Sequence, residues 1–528
     1  MRPMVSLPGR ERGAFDGGKD GSEIPLSLEW ETDHWSIRAK PRELSRYRRR
    51  FCGMQDRLDA RDWAREEFGE AALRHRTRTD RVVQMAARAA LRPSGKVSDV
   101  FESEAERQGA YDLLESSAVC GDRLLEACAG ATARRCAAER FVHVPVDGSS
   151  LTLTDRRKVK NFGRVGSDAH GARGLKVMTA YAVSPKGVAV GLLDQQWWSR
   201  APRGRQLTKN ASRLRNFGRA TRDKETQRWL DAITSCEARL DATGTRGWFQ
   251  LDREADARPI LLKFAETRHF FTIRSRTNRR LAGEKKPTYL RERLAKEPRL
   301  CTYTLNVSAS HGRKARVARM SVRAARVTLR LHDKWTDRID TVEVTAVWAR
   351  EIWTTPRGEK PIDWLLLTNR TVRNRRSARE VIGGYAMRWR IEEFHKTWKT
   401  GVCGVENTQL RRKEAVIKWA TILATVAARI ERLKQLARQT PDASALIELR
   451  PVEIRVLVLM KTRQKKRTET VTDTPTIAEA TRWIADLGGY TGKSSGGPPG
   501  SITIGRGLER VLDGALLLEA IEAKSKKK

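Results

Sequence analysis

At Phe141 the hydrophobic period of the chain changes from helical to alternating, and the pattern that follows restricts the fold more than any other feature. Phe141-Val-His-Val-Pro-Val146 reads as a strand ending in Asp147-Gly-Ser-Ser. Residues 175–183 and 187–193 read as the next two strands, joined as a hairpin through Pro185-Lys-Gly187. Residues 222–240 carry helical spacing, 248–251 form a strand ending in Asp252, and 269–274 form another. Three strands, a helix, a strand, a helix and a further strand predict a mixed α/β sheet.

Helical segments flank this core. Over 58–140, apolar residues recur at i, i+3 and i+4, as in Asp62-Trp63-Ala-Arg-Glu-Glu-Phe68 and Arg81-Val-Val-Gln-Met85. That spacing predicts a helical N-terminal domain, with Arg74, Arg76, Arg78 and Arg81 clustered in it. Residues 1–57, with Gly17-Gly18 and a basic run at 46–50, read as a poorly ordered extension in which Trp30 and Trp35 could dock elsewhere. A central domain spans 141–440 and contains a β-rich insertion at about 277–368, with strands expected at 303–308, 326–331, 341–348 and 364–367. A helix is expected over 377–400 and further helices over 413–437. A helical C-terminal domain at 441–528 follows, with a basic linker or surface loop at Lys461-Thr-Arg-Gln-Lys-Lys-Arg467 and helices at 475–488 and 505–522.

Charge indicates the kind of partner. Lysine and arginine number 104 against 64 acids, a net charge of +40 spread over the whole length. Such a chain is expected to meet polyanions, although a generally soluble protein from an arginine-favouring genome has the same balance. Hydrophobic residues make up 39%, enough for a sizeable core. No run approaches the ~18 apolar residues of a membrane span, and no basic-then-apolar leader opens the chain, so a cytoplasmic protein with no membrane partner is expected. The seven cysteines (Cys52, Cys120, Cys128, Cys136, Cys236, Cys301, Cys403) are scattered without a CxxC pair, which predicts neither a disulfide framework nor a thiolate zinc site.

Asp147 and Asp252 share a context, each following an apolar strand where a side chain can face a cleft. Hard oxygen ligands of this kind hold Mg²⁺, and a pair of ions can serve both sides of a phosphoryl transfer. Aspartates are also common at turns, so neither is diagnostic alone. A third carboxylate stands in Tyr385-Ala-Met-Arg388-Trp389-Arg390-Ile-Glu392-Glu393-Phe-His395-Lys396-Thr-Trp398-Lys399. On one continuous helix at ~100° per residue, Arg388, Glu392 and Lys399 fall at about −60°, −20° and −40° from Tyr385. Glu393 falls at about +80°, off that stripe. A surface helix with a Glu392–Lys396 charge pair has the same spacing.

The run Tyr385-x2-Arg388-x3-Glu392-x6-Lys399 resembles the Y-R-E-K signature of the DDE transposases of bacterial insertion-sequence family four, the transposon-five type above all. Other segments are similar to that group: Trp63-Ala…Phe68, Gly109-Ala-Tyr111, Gln195-Gln-Trp197-Trp198-x-Arg200, Asp252-Arg-Glu-Ala-Asp256, Trp364-Leu-Leu-Leu-Thr368, Arg388-Trp-Arg-Ile-Glu-Glu-Phe-His-Lys396 and Leu487-Gly-Gly-Tyr490. The resemblance covers roughly 58–520.

It implies a multidomain α/β protein: a ribonuclease H-like mixed-sheet catalytic domain with a β-rich insertion, a helical N-terminal domain that binds DNA ends and a helical C-terminal domain that dimerises. It implies Asp147, Asp252 and Glu392 as the catalytic, metal-binding triad, holding Mg²⁺ (Mn²⁺ able to substitute) with two ions per site. Cleavage would proceed by hydrolysis, a hairpin intermediate, its reopening, and joining of 3′-OH ends to target DNA. Tyr385, Arg388, Lys396 and Lys399 would hold phosphates, and Arg274 and Arg276 would lie near the hairpin. Trp364 would stack on a flipped base, although Trp364-Leu-Leu-Leu alone reads as a strand core. Arg78 and Arg81 match the positions of end-binding arginines. Trp197-Trp198 reads as buried packing, and His395 as a phosphate neighbour or a structural residue. The implied partners are terminal-repeat DNA, target DNA and a second copy in a synaptic complex on the nucleoid. A non-catalytic DNA-binding inhibitor or decayed copy, and a stand-alone metal-dependent nuclease, are the alternatives.

Overall fold

The computed structural model describes residues 26–27, 59–155, 160–166, 171–200, 221–283, 286–307, 309, 314–333, 336–464, 470–492 and 497–525. Of the extension expected over 1–57, only the two-residue strand β1 (Leu26–Ser27) falls among them. Trp30, Trp35 and the basic run at 46–50 lie outside the described residues.

The remaining strands are β2 (Phe141–Thr152), β3 (Gly163–Arg164), β4 (Arg173–Val183), β5 (Ala189–Trp198), β6 (Arg246–Leu251), β7 (Phe270–Arg274), β8 (Cys301–Val307), β9 (Arg316–His332), β10 (Ile339–Glu351) and β11 (Asp363–Thr368). All join one mixed sheet. At its centre the order is β5-β4-β2-β6-β7. β2, β4 and β5 form antiparallel pairs, whereas β6 runs parallel to β2 and β7 parallel to β6. This mixed α/β arrangement is consistent with a ribonuclease H-like domain. The β4–β5 hairpin closes at Pro185-Lys186-Gly187, where Ser184 N–H donates to Val188 O at 2.8 Å and Gly187 takes φ +80°.

The segment at 277–368 does not stand apart from this sheet. β8, β9 and β10 extend it outward, and β11 is the seam, antiparallel to β10 on one side and to β7 on the other with Leu366 opposite Arg274. A sheet edge left at β7 would expose a row of unpaired backbone groups, and β11 covers it.

Each face of the sheet is filled by helices whose apolar stripes match it. On one face Trp229, Ile233, Cys236 and Leu240 of helix Thr226–Ala242 share a core with Val142, Val144, Val146, Phe249 and Leu251. On the other, helices Trp389–Lys399 and Lys413–Gln439 pack with Leu175, Val177, Tyr181 and Leu192. The N-terminal helices Ala60–Phe68, Arg76–Leu91, Glu104–Glu115 and Gly121–Cys136 contribute to that same core, so they are continuous with the sheet layers. The indole N–H groups of Trp398 and Trp419 donate to Ala420 O (2.9 Å) and Gly95 O (3.0 Å), so neither buried ring leaves an unmet donor.

Helices Pro451–Gln464, Ile477–Leu487 and Ser501–Ser525 form a further core against Leu433 and Leu436. The basic segment expected as a loop from Lys461 is helical as far as Gln464. There Lys461 is buried and pairs with Asp486 at 3.1 Å; residues 465–469 lie outside the described residues. Among the described residues no helix is long and apolar enough to cross a membrane.

Candidate active site

The parallel ladder between β2 and β6 runs from Phe141 opposite Arg246 to Val146 opposite Leu251. Asp147 follows Val146 in β2 and Asp252 follows Leu251, the last residue of β6, so the two residues stand in adjacent register, with backbones one strand spacing apart (about 4.8 Å). Both side chains are buried. They leave the sheet on the same face, because their neighbours Val146 and Leu251 point into the opposite core. Asp252 caps a short 3-10 turn, its Oδ1 accepting from Glu254 N at 2.8 Å. Asp147 does not end its strand as the sequence pattern suggested. β2 continues to Thr152 against β4, with Asp147 opposite Thr179. What ends here is the partner β6, whose last residue, Leu251, lies opposite Val146.

The segment that carries Glu392 also departs from expectation. The stripe from Tyr385 to Lys399 assumed one helix, but helix Arg375–Ala386 stops and helix Trp389–Lys399 starts after a two-residue turn. There Arg388 N donates to Tyr385 O and Ile391 N to Arg388 O, both three residues back, a tightening that interrupts the regular ladder. Tyr385 and Arg388 therefore belong to the end of one helix and the turn, while Glu392 and Lys399 remain seven residues apart on one flank of the second. Gly384, one residue before the stripe, is required by a close approach, since a Cβ there would sit 2.9 Å from the Trp248 ring.

Helix Trp389–Lys399 is anchored across β4 and β5 by Phe394, stacked on Tyr181 (centroids 4.8 Å apart), and by Trp398 against Trp197 (5.9 Å). Glu392 is partly exposed and accepts from Arg388 Nη2 at 2.9 Å; Arg388 itself is only 1% exposed. Glu393 lies off this site: burial pushes its carboxyl up, but Lys434, Arg390 and Arg438 prevail and hold it below the usual carboxylate range.

The other expected DNA contacts divide into exposed and buried positions. Lys396 is exposed, and Lys399 pairs at 3.7 Å with Glu406, which also accepts from Thr152 N at the end of β2. Arg276 is exposed two residues beyond β7, and Arg274, the last residue of that strand, is half-buried with its Nη2 3.4 Å from Asp363 O. Asp256 fixes this arm beside Asp252 by accepting from Arg276 N (2.8 Å) and pairing with Arg279 (2.6 Å). Tyr385 and Trp364 are core residues in edge contact at 5.5 Å, and Trp364 is 3% exposed, so its ring faces are not presented to solvent. Arg78 and Arg81 lie half-buried on helix Arg76–Leu91, bonded to Leu73 O (3.4 Å) and Gln84 Oε1 (3.3 Å). Trp197 and Trp198 are half-buried rather than buried, and His395 is buried.

Four residues before Asp147, His143 is enclosed by Phe141, Trp248 and Gln250. Burial, assisted by the Arg370 guanidinium, pushes its imidazole down to about 3 from an ordinary 6.5. The unfolded chain takes up this proton first, so the His143 contribution to stability falls as pH drops below 6.5. NMR is expected to show His143 neutral and untitrating between about pH 5 and 8; a midpoint near 6.5 would contradict the enclosure.

Two polar residues of this face were not singled out by their chemistry in the sequence. Thr179 lies opposite Asp147, and Gln195 on β5 lies opposite Thr179. Both are buried, and among the described residues the Thr179 hydroxyl and both Gln195 amide atoms have no hydrogen-bond partner. Their signal was a polar residue recurring inside otherwise apolar strands.

Among the described residues no group of three or more His, Cys, Asp or Glu side chains is gathered tightly enough to enclose a metal ion. The donor set nevertheless fits a hydrated divalent cation of the Mg²⁺ kind. Two hard carboxylates stand in adjacent register, a third rides on the helix lying over the same face, and unmet hydrogen-bonding groups line the wall next to Asp147.

Residues 225–428 match the family model described as Transposase DDE domain. The matched span contains Asp252, Glu392 and the Tyr385–Lys399 signature residues, while Asp147 lies before it. The match supports placing the chain among DDE transposases. With it comes support for a nuclease-type enzyme that acts on DNA and uses divalent metal ions.

Proposed function

We propose that the protein is the cut-and-paste transposase of an insertion sequence of family four. It binds its element's terminal repeats, hydrolyses the bond at the 3′ end, forms and reopens a hairpin, and joins the freed 3′-OH ends to target DNA. The observation that carries this reading is the adjacency of Asp147 and Asp252 where the parallel ladder ends. The match over 225–428 and the net charge of +40 support it.

Asp147, Asp252 and Glu392 would hold Mg²⁺, or Mn²⁺ in its place, two ions per site. When bound, the ions would supply charge stabilisation at the scissile phosphate and an activated attacking oxygen. Arg388 is placed by its ion pair to orient Glu392. Exposed Lys396 and Arg276 suit phosphate contact at the cleft, and Lys399, Arg274, Arg78 and Arg81 extend the basic track. Phosphate contact by Tyr385, and stacking of Trp364 on a flipped base, would each require their mutual edge contact to open, which assigns those roles to the DNA-bound form. Leu516, Leu517 and Ile521 are exposed on helix Ser501–Ser525 and support pairing of two copies through the C-terminal helices.

The test is incubation of the purified protein with Mg²⁺ and a plasmid carrying the element's own ends. Double-strand cleavage at the ends through hairpin intermediates is expected, with end binding that weakens steeply as salt rises. Cleavage indifferent to the ends would instead identify a general nuclease.

A further inference from the structure

Asp252, Asp147, Thr179 and Gln195 form one row across four adjacent strands. Asp147 is opposite Thr179, Thr179 is opposite Gln195, and Asp252 stands beside Asp147 past the end of the parallel ladder. Residues opposite one another in a ladder project from the same face, so the Asp147, Thr179 and Gln195 side chains leave the sheet together, and Asp252 follows the end of β6 in extended backbone. The row lies between the two contacts that seat helix Trp389–Lys399, Tyr181–Phe394 on one side and Trp197–Trp398 on the other. The helix that carries Glu392 therefore lies over it.

Half of this row lacks what buried polar groups require. Thr179 is 0% exposed and Gln195 3% exposed, yet among the described residues the hydroxyl and both amide atoms have no partner. Leaving such groups unmet is costly, because their hydration is lost with nothing in its place. An apolar pair would avoid that cost and suit the flanking Val177, Tyr181 and Leu192. The Trp197 indole N–H on β5 and the Ser199 hydroxyl just past its end are also buried without partners among the described residues. A line of unmet donors and acceptors that ends at a buried carboxylate fits ordered water, which binds buried polar groups through roughly three hydrogen bonds each.

We propose that Thr179 and Gln195 are positioning residues of the carboxylate site, holding ordered water against Asp147 and thereby the hydration shell of the cation that Asp147 and Asp252 bind. This rests on the metal-site reading of those aspartates. Thr179 donates or accepts through its hydroxyl, and Gln195 offers a carbonyl and an N–H₂, so together they orient a water from two sides. The acids supply charge; the polar wall fixes where the cation's water ligands sit. Outer-shell partners of this kind typically change metal affinity by about 10–100-fold when removed.

The test is calorimetric titration of Mn²⁺ into the metal-free full chain, with thermal melts of the same samples. Thr179→Val and Gln195→Met conserve volume and remove the polar atoms; Thr179→Ser restores the hydroxyl. Wild type is expected to bind Mn²⁺, with dissociation constants about tenfold higher in Thr179→Val and Gln195→Met. Thr179→Ser should return to within about twofold of wild type, and the metal-free melts of all variants should remain cooperative. If Thr179→Val misfolds, Gln195→Met still reports, because it removes the amide atoms at an independent position. Unchanged Mn²⁺ affinity in folded Thr179→Val and Gln195→Met would overturn the proposal and leave the aspartate site standing. Absence of Mn²⁺ binding by wild type would overturn the aspartate reading, and the proposal with it.

Discussion

Asp252→Asn is expected to abolish cleavage of end DNA, by about 10³-fold or more, while end binding stays within a few-fold of wild type. Asp252 is 1% exposed, and one of its oxygens already caps the turn that begins at Arg253. Asparagine keeps an oxygen for that cap, so the local fold survives and only the charge is removed. Asp147→Asn should behave alike, because Asp147 Oδ1 accepts from Gly148 N at 2.9 Å and that bond needs no charge. DNA affinity, carried by cations spread over the chain, should not follow either change. Gel-shift and cleavage assays on one preparation separate the two effects. A variant that binds and cuts normally would remove Asp252 from the chemistry.

The largest structural effect is expected at Glu431. Its side chain is wholly buried in helix Lys413–Gln439. It pairs with Lys434 at 2.5 Å, accepts from the Ser501 hydroxyl at 2.6 Å, and accepts from the Thr397 hydroxyl. One carboxylate thus joins the end of the Glu392 helix, the long central helix and the start of the C-terminal helix. Removing one partner of a buried pair strands the other charge, which typically costs about 3–5 kcal/mol. Glu431→Ala should lower the melting temperature by several degrees and loosen the C-terminal helix in hydrogen exchange. Glu431→Gln, which retains acceptors, should fall between it and wild type. A Glu431→Ala melt within about a degree of wild type would contradict this linkage.

Much of the fold was legible because it follows from period and punctuation. The hairpin at Pro185-Lys186-Gly187 and the apolar strand before Asp252 appear as read. Features that depend on partners were not legible. Nothing local in Asp147-Gly-Ser-Ser shows that β2 continues while β6 stops, because that is decided by the neighbouring strand. Nothing in residues 385–399 shows the break at Met387-Arg388, which contains neither proline nor glycine. Trp364-Leu-Leu-Leu read alone as a strand core, and the ring is buried there. The insertion was visible as strands, but its continuity with the main sheet is a matter of long-range register. The wall of Thr179 and Gln195 required three strands in register before it could be seen at all.

Asp147, Asp252 and Glu392 are proposed to carry metal-dependent cleavage of a DNA end. The most direct measurement is single-turnover cleavage of an end substrate with a sulfur replacing a non-bridging oxygen at the scissile phosphate. Mg²⁺ prefers hard oxygen donors, whereas Mn²⁺ tolerates the softer atom better. Slow cleavage of the sulfur substrate in Mg²⁺, rescue by Mn²⁺, and no rescue in Asp252→Asn are expected. Equal rates for oxygen and sulfur substrates in Mg²⁺, or cleavage that persists in chelator, would contradict this assignment.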